Sequence, residues 1–207
     1  MKAIDEGRLE QDIHYRYDYL CEFMSFGADD IAAIRGAIAQ FAPRIPDLVA
    51  ATYEKLLSYD ATARHFLPRQ HGFDGPLPQS LSELSSAPAQ IQFRKEHLQR
   101  YLMNLIGNAF NQKTPLYLDI VGKMHTPAAG NPEIDVPLVQ MNALMGVLSD
   151  TIFRLIEELE LQAELKFRLI RAWNKLLWIQ NDFIVRHYAG KPEETSETPA
   201  ETASATS

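Results

Sequence analysis

The sequence contains one cysteine, Cys21, among its 207 residues. A single cysteine has no intramolecular disulfide partner, and it cannot supply a metal site built from several thiolates. Small disulfide-stabilised folds are therefore excluded. Because a free thiol fits a reducing compartment, we expect a cytoplasmic protein.

Basic charge and long apolar runs are also scarce. The chain has 20 Lys and Arg against 27 Asp and Glu, a formal net charge of -7. Nucleic-acid-binding domains are usually basic, and no apolar run approaches the roughly 20 residues that span a bilayer. Residues 1–12 also lack the apolar stretch of a secretory signal. We therefore expect neither a nucleic-acid partner nor a membrane association.

Common catalytic motifs are missing. The 10 glycines are scattered singly along the chain, so no glycine-rich loop is available to bind phosphate groups. The zinc-protease pattern HExxH and the serine-hydrolase pattern GxSxG are absent. No motif in the sequence therefore indicates a nucleotide-dependent or hydrolytic enzyme.

Proline is absent from residues 138–191. Within this stretch Leu165, Leu169, Trp173 and Leu176 recur in steps of three and four, the period of an amphipathic helix. The pattern predicts two long helices, over 137–159 and 162–188. Residues 191–207 contain no aromatic, Leu, Ile, Val or Met side chain, which predicts a disordered acidic tail.

The same reasoning divides the rest of the chain. It predicts further helices over 12–26, 29–41, 46–58, 89–107 and 115–125, a helical turn over 59–67 and a loop over 68–89. Thr114 and Pro115 are expected as the N-cap and first residue of the 115–125 helix. No strand-like alternation persists anywhere. The predicted fold class is all-α, with seven or eight helices in one domain over residues 1–190.

His125 is the strongest candidate for a metal ligand. Leu118, Val121 and His125 are spaced i, i+3 and i+7, which places the imidazole on the apolar face of a short helix. A buried imidazole needs a hydrogen-bond partner or a metal. Its partner is either another core group or a haem iron, the metal that needs only one protein nitrogen in an apolar cleft. Gly122 is expected to let the helix approach a bulky flat group.

Each of the other candidate site residues has a purely structural explanation as well as a functional one. Tyr53 is either a core tyrosine or a hydroxyl donor to a bound ligand. His97 is a second axial ligand, a distal hydrogen-bond donor or an external residue, and Phe93 on the same helix suits the wall of a cleft. Met141 and Met145 fill the core or contact the edge of a porphyrin.

Four segments occur in globin order. They are Thr52-Tyr53 with Arg64-His65-Phe66, then Phe93 to Leu98, then Ile120 to His125, and finally Ala172-Trp173 running on to Tyr188. Over residues 12–190 the sequence resembles the protoglobins and the globin domains of globin-coupled sensors. We expect no output domain, so the sequence is most similar to a stand-alone protoglobin.

The resemblance implies a globin-like fold with an extra N-terminal helix and bound haem b. It implies that His125 is the proximal iron ligand, that Tyr53 faces the bound gas and that Phe93 lines the distal side. The remaining expected pocket residues are Phe66, His97, Val121, Met141 and Met145. The implied function is reversible binding of O2, CO or NO by a homodimer that associates through its last two helices.

Two other functions remain open from the sequence. The same fold could serve as a haem-free helical interaction module, although relatives that lost haem are expected to lack a ligand such as His125. It could also serve as a haem enzyme, for example in NO dioxygenation or peroxidase-like turnover, which requires a redox partner. We expect binding rather than enzymatic turnover.

Overall fold

The computed structural model describes residues 1–86, 88–107 and 110–189. This part of the chain contains no β-strand, which confirms the all-α prediction. The α-helices are α1 (Glu6–Gln11), α2 (Ile13–Phe23), α3 (Ala28–Gly36), α4 (Ile38–Phe41), α5 (Ile45–Leu57), α6 (Asp60–Ala63), α7 (Pro88–Gly107), α8 (Thr114–Lys123), α9 (Leu138–Glu158) and α10 (Ala163–Val185). Short 3-10 turns lie at Ala42–Arg44, Arg64–Phe66, Leu81–Ser86 and Pro127–Ala129. The predicted tail, 191–207, lies outside the described residues.

The five helices predicted over 46–58, 89–107, 115–125, 137–159 and 162–188 all form. Most of their boundaries lie within one or two residues of the prediction, and α10 ends three residues early. Thr114 is the first residue of α8 rather than its N-cap, so Pro115 is the second residue. His125 consequently lies in the turn after α8. The i, i+4 hydrogen bond that its side chain makes still follows the helical path of the chain.

The N-terminal region differs from the prediction in two places. A separate helix, α1, precedes α2; it buries no residue and its N-cap is Asp5, which accepts a hydrogen bond from the Arg8 amide at 3.0 Å. Hydrophobic periodicity cannot detect a helix without a buried face. The predicted 29–41 helix divides at Ala37, whose amide donates to the Ile34 carbonyl in a tight i, i+3 bond.

The last helix forms the centre of the molecule. α10 packs against α2, α3, α8 and α9, and its Trp173 stacks on Phe41 of α4 with ring centroids 5.2 Å apart. Phe183 and Leu176 of the same helix are fully buried. Buried residues from α2 through α10 form one continuous core. Burying large aromatic side chains supplies much of the stability of such a core.

A separate layer lies across α10. Here α5 packs against α7 and α9, while α8 packs against α10 and α2. α7 and α8 meet through side chains: the rings of Tyr101 and Tyr117 stack with centroids 6.0 Å apart, and the Asn104 side-chain amide donates to the Tyr117 hydroxyl at 3.2 Å. Tyr53 lies on α5 and His125 in the turn after α8; we call the region bounded by α5, α7, α8 and α9, where the resemblance implies bound haem, the crevice.

Candidate functional site

His125 is held with one ring nitrogen occupied. Its Nδ1 lies 3.0 Å from the carbonyl oxygen of Val121, one helical turn earlier. A carbonyl accepts only, so Nδ1 carries the proton and donates it. The other nitrogen, Nε2, then presents a lone pair, and no described residue hydrogen-bonds to it. This is the tautomer that a histidine needs in order to bind a metal through Nε2.

Burial keeps the His125 ring neutral. Desolvation is the largest cause of its lowered pKa, and the nearby positive charge of Arg94 lowers this pKa further. A neutral imidazole has a free lone pair at neutral pH, whereas a protonated ring cannot coordinate a metal. The environment of His125 therefore favours the form that binds metals.

The backbone around His125 is fixed from two sides. Its carbonyl accepts a hydrogen bond from the Val136 amide at 3.0 Å, and the Tyr188 hydroxyl donates to the Val136 carbonyl at 2.7 Å. Gly122 of α8 lies directly against the backbone of Phe183 in α10. The prediction that Gly122 makes room for a flat group is therefore wrong, because the absent side chain allows close helix packing instead.

Tyr53 lies on the α5 side of the crevice. It is only 6% exposed, and its ring centroid lies 5.5 Å from that of Phe66. Its hydroxyl makes no hydrogen bond to a described residue. Burial raises the pKa of Tyr53, so the hydroxyl stays protonated and can donate a hydrogen bond. The hydroxyl oxygen is not one of the fully shielded side-chain atoms that lack a partner, so water as well as a bound ligand can accept its proton.

The positive charge of Arg94 in α7 acts on both His125 and Tyr53. Its guanidinium carbon lies 5.1 Å from the centroid of the Phe66 ring, and its Nη2 donates to the Pro68 carbonyl at 2.7 Å. Its charge lowers the pKa of His125 and partly offsets the rise in the pKa of Tyr53. The guanidinium is therefore within electrostatic range of both sides of the crevice.

The other expected pocket residues are in different settings. Phe66 is 9% exposed and contacts both Tyr53 and Arg94. Met141 and Met145 lie buried on α9, the helix that packs against α5. Val121 is partly buried and supplies the carbonyl that orients His125. These residues lie on the helices and turn that surround the crevice.

Phe93 and His97 belong to a neighbouring cluster. The ring of Phe93 lies 5.3 Å from that of Phe73 and 4.4 Å from that of His97. Both ring nitrogens of His97 are occupied, by the Phe93 carbonyl at 2.8 Å and by Arg100 at 3.0 Å. Cofactor contacts by these two residues stay predictions, and their observed partners give them no support.

Sequence reasoning missed Arg94 as a site residue. A signal was present, because Ile91 and Leu102, which are buried, and Leu98, which is partly buried, form the inner stripe of α7 and position 94 falls within it. A charged residue in an apolar stripe indicates either a buried partner or a ligand. Here the residue that contacts Phe66 beside Tyr53 is Arg94, one position after Phe93.

The residues of the crevice fit a haem. They include a neutral imidazole whose Nε2 has no described hydrogen-bond partner, the buried apolar side chains of Phe66 and Met141, and the Tyr53 hydroxyl as a donor. Among the described residues no group of three or more His, Cys, Asp or Glu side chains could hold a metal ion. One histidine suffices for haem iron, whereas structural zinc needs four ligands.

Comparison with known proteins agrees with this description. No curated protein matches the chain. The family model for Protoglobin matches residues 13–194, which covers most of the sequence. Among the described residues, no helix is both long and apolar enough to cross a membrane. The match confirms the resemblance and the globin-like all-α fold, and the chain belongs to the protoglobin family, a family of haem-binding globins.

Proposed function

We propose that this protein binds haem b in the crevice between α7 and α8, with His125 Nε2 as the iron ligand, and reversibly binds O2, CO or NO. The observation that carries the proposal is the hydrogen bond from His125 Nδ1 to the Val121 carbonyl. This bond sets the tautomer and the ring orientation, and it leaves Nε2 available.

The chain's own residues have distinct roles in this proposal. His125 supplies a single nitrogen ligand, and Phe66, Met141 and Met145 exclude water from the crevice. Haem iron with one protein ligand keeps a coordination position open for a diatomic molecule. The Tyr53 hydroxyl, on the opposite side of the crevice, donates a hydrogen bond to that molecule. Reversible binding requires no catalytic acid or base.

The test is reconstitution of the purified protein with haem. We expect a Soret band in the wild type and a large loss of bound haem in His125→Ala, because the iron loses its only protein ligand. Added imidazole is expected to restore a bound spectrum in His125→Gly. His97→Ala is the matched control and should keep the wild-type spectrum, since both His97 ring nitrogens already have partners.

Two results would contradict the proposal. A wild-type protein that stays colourless after reconstitution would favour a haem-free interaction module. A His125→Ala spectrum identical to that of the wild type would show that another residue binds the iron. Circular dichroism of each variant separates loss of the ligand from loss of the fold.

We also propose that two copies associate through α9 and α10. Phe167 and Trp178 of α10 are 64% and 59% exposed, and Val139 of α9 is 73% exposed. Large apolar side chains at such exposure often mark an interaction surface. The exposed small residues Ala143 and Gly146 of α9 allow another helix to approach closely.

A cytoplasmic location is proposed on the strength of the cysteine. Cys21 is free, and burial raises the pKa of its thiol to about 11. The thiol therefore stays protonated and unreactive at neutral pH. A chain whose only cysteine is unpaired fits a reducing compartment.

A further inference from the structure

The guanidinium group of Arg94 lacks a carboxylate partner among the described residues. Its Nε is shielded from solvent and has no hydrogen-bond partner, while Nη2 bonds only to the neutral Pro68 carbonyl. Three other partly buried cations are paired with carboxylates: Arg16 with Asp182, Lys175 with Asp30 and Arg186 with Asp119. Arg94 departs from this pattern in a part of the molecule that faces the crevice.

An unpaired cation in an apolar environment is costly. Taking a guanidinium out of water sacrifices hydration, and only an opposite charge or several hydrogen bonds compensates that loss. The Phe66 ring below Arg94 offers a weak cation–π contact at 5.1 Å. These two contacts leave the Arg94 Nε–H group without an acceptor among the described residues, so the positive charge is only partly compensated.

The surroundings of Arg94 suit an anion. The charge of Arg94 acts on Tyr53, whose hydroxyl is a donor without a protein partner. The Lys95 ammonium lies 5.9 Å from the centroid of the Tyr53 ring and adds a second positive charge. Two positive charges therefore lie close to the packed rings of Tyr53 and Phe66, where the Arg94 Nε–H and the Tyr53 hydroxyl have no described hydrogen-bond partner.

We propose that Arg94, together with Tyr53, forms a binding site for a small anionic group. The chemical class is an anion with accessible lone pairs, such as azide, nitrite or a carboxylate, which a guanidinium recognises by charge-assisted hydrogen bonds. The proposal deepens the proposed function, because the anion is either a free ion bound beside the iron or a carboxylate of the haem itself.

The experiment compares Arg94→Leu and Arg94→Lys with the wild type at constant ionic strength. The control is Arg100→Leu, the same substitution at an exposed position of the same helix. For each haem-reconstituted ferric protein, the dissociation constants of azide, nitrite and neutral imidazole are measured optically. The rate of haem transfer to excess apomyoglobin is measured in parallel.

For a free anion, we expect Arg94→Leu to weaken azide and nitrite binding at least tenfold and to change imidazole binding less than threefold. Arg94→Lys should fall between Arg94→Leu and the wild type. For a haem carboxylate, we expect at least tenfold faster haem transfer from Arg94→Leu with anion affinities unchanged. Arg94→Leu values within twofold of both wild type and Arg100→Leu in every measurement would overturn the proposal.

Failure of haem binding would be recognised separately. If the wild type stays colourless, thermal unfolding of the haem-free protein with added azide or nitrite, balanced with sodium chloride, decides the question. A rise in Tm of the wild type that is absent in Arg94→Leu supports the anion site. Equal Tm shifts, or no shift, in both proteins would overturn it.

Discussion

The backbone of Gly122 in α8 lies directly against the backbone of Phe183 in α10. A Cβ placed on Gly122 would overlap the Phe183 carbonyl oxygen and would lie 2.9 Å from its carbonyl carbon and 3.0 Å from the Cα of Ile184. Backbone atoms of the last turn of α10 cannot move aside as a flexible side chain can, because both residues are buried against the core. This contact sets how closely α8, and with it His125, is placed against the central helix.

We expect Gly122→Ala to push α8 away from α10. The overpacking should lower the free energy of unfolding by about 1–3 kcal/mol. Haem retention should also fall, since His125 follows α8 by two residues. Urea unfolding and haem-transfer rates measure the two effects.

Gly36→Ala is the control for this substitution. Gly36 ends α3, and a Cβ there would meet nothing within 4 Å. Its free energy of unfolding should stay within about 0.5 kcal/mol of the wild type. Equal behaviour of the two alanine variants would mean that the contact between Gly122 and Phe183 does not constrain α8.

The free energy of unfolding should respond differently to loss of the hydroxyl group at Tyr53 and at Tyr101. Tyr53 has no described hydrogen-bond partner, whereas the Tyr101 hydroxyl donates to Gln180 Oε1 at 2.8 Å. In the haem-free protein, Tyr101→Phe should lose about 0.5–1.5 kcal/mol of unfolding free energy. Tyr53→Phe should be nearly neutral, because it breaks no hydrogen bond to a described residue. Urea unfolding measures both values.

In the haem-bound protein, loss of the Tyr53 hydroxyl should have the larger effect, and loss of the Tyr101 hydroxyl the smaller. A hydrogen bond from Tyr53 to bound O2 should make O2 dissociation about tenfold faster in Tyr53→Phe, as expected for the loss of about 1.4 kcal/mol. Tyr101→Phe should leave the rate nearly unchanged. An unchanged O2 dissociation rate in Tyr53→Phe, measured by stopped flow, would remove Tyr53 from the proposed distal role.

His65 makes the stability of the haem-free protein depend on pH. Burial lowers its pKa below the ordinary 6.5. Because the folded state then binds this proton less tightly than the unfolded chain, the stabilising contribution is complete above pH 6.5. It declines as the pH falls from 6.5 toward the lowered pKa.

We therefore expect His65→Gln to flatten the loss of unfolding free energy between about pH 7.5 and pH 5. His125 contributes to the dependence of unfolding free energy on pH that remains, because its pKa is also lowered. His71→Gln, at an exposed loop position, is the control and should keep the wild-type slope. A His65→Gln slope as steep as that of the control would contradict the prediction.

The proposed dimer can be tested on the exposed face of α10. Trp178→Glu should shift the population from dimer to monomer, because it places a charge on an apolar surface that the dimer would bury. Ile120→Glu is the control, since Ile120 is similarly exposed, 58% against 59%, but lies on α8. Sedimentation velocity measures both. A monomeric wild type, or equal dissociation of the two variants, would contradict association through α9 and α10.

Much of the fold follows from local patterns in the sequence. Proline and glycine mark the ends of helices, and the three-and-four spacing of apolar residues identifies α5, α7, α8, α9 and α10. The spacing of Leu118, Val121 and His125 also predicts an inward-facing imidazole, which the structure places in the turn after α8. The short polar helix α1 could not be found in this way, since it buries no residue.

Tertiary structure decided which neighbouring positions meet. Adjacent residues of a helix point about 100° apart, so a periodic pattern identifies an apolar face without fixing how that face is rotated toward another helix. That rotation brings Arg94 against Phe66 and leaves Phe93 with Phe73 and His97. The partner of Gly122 was hidden for a related reason, because Phe183 is 61 residues away and only helix packing brings the two backbones together.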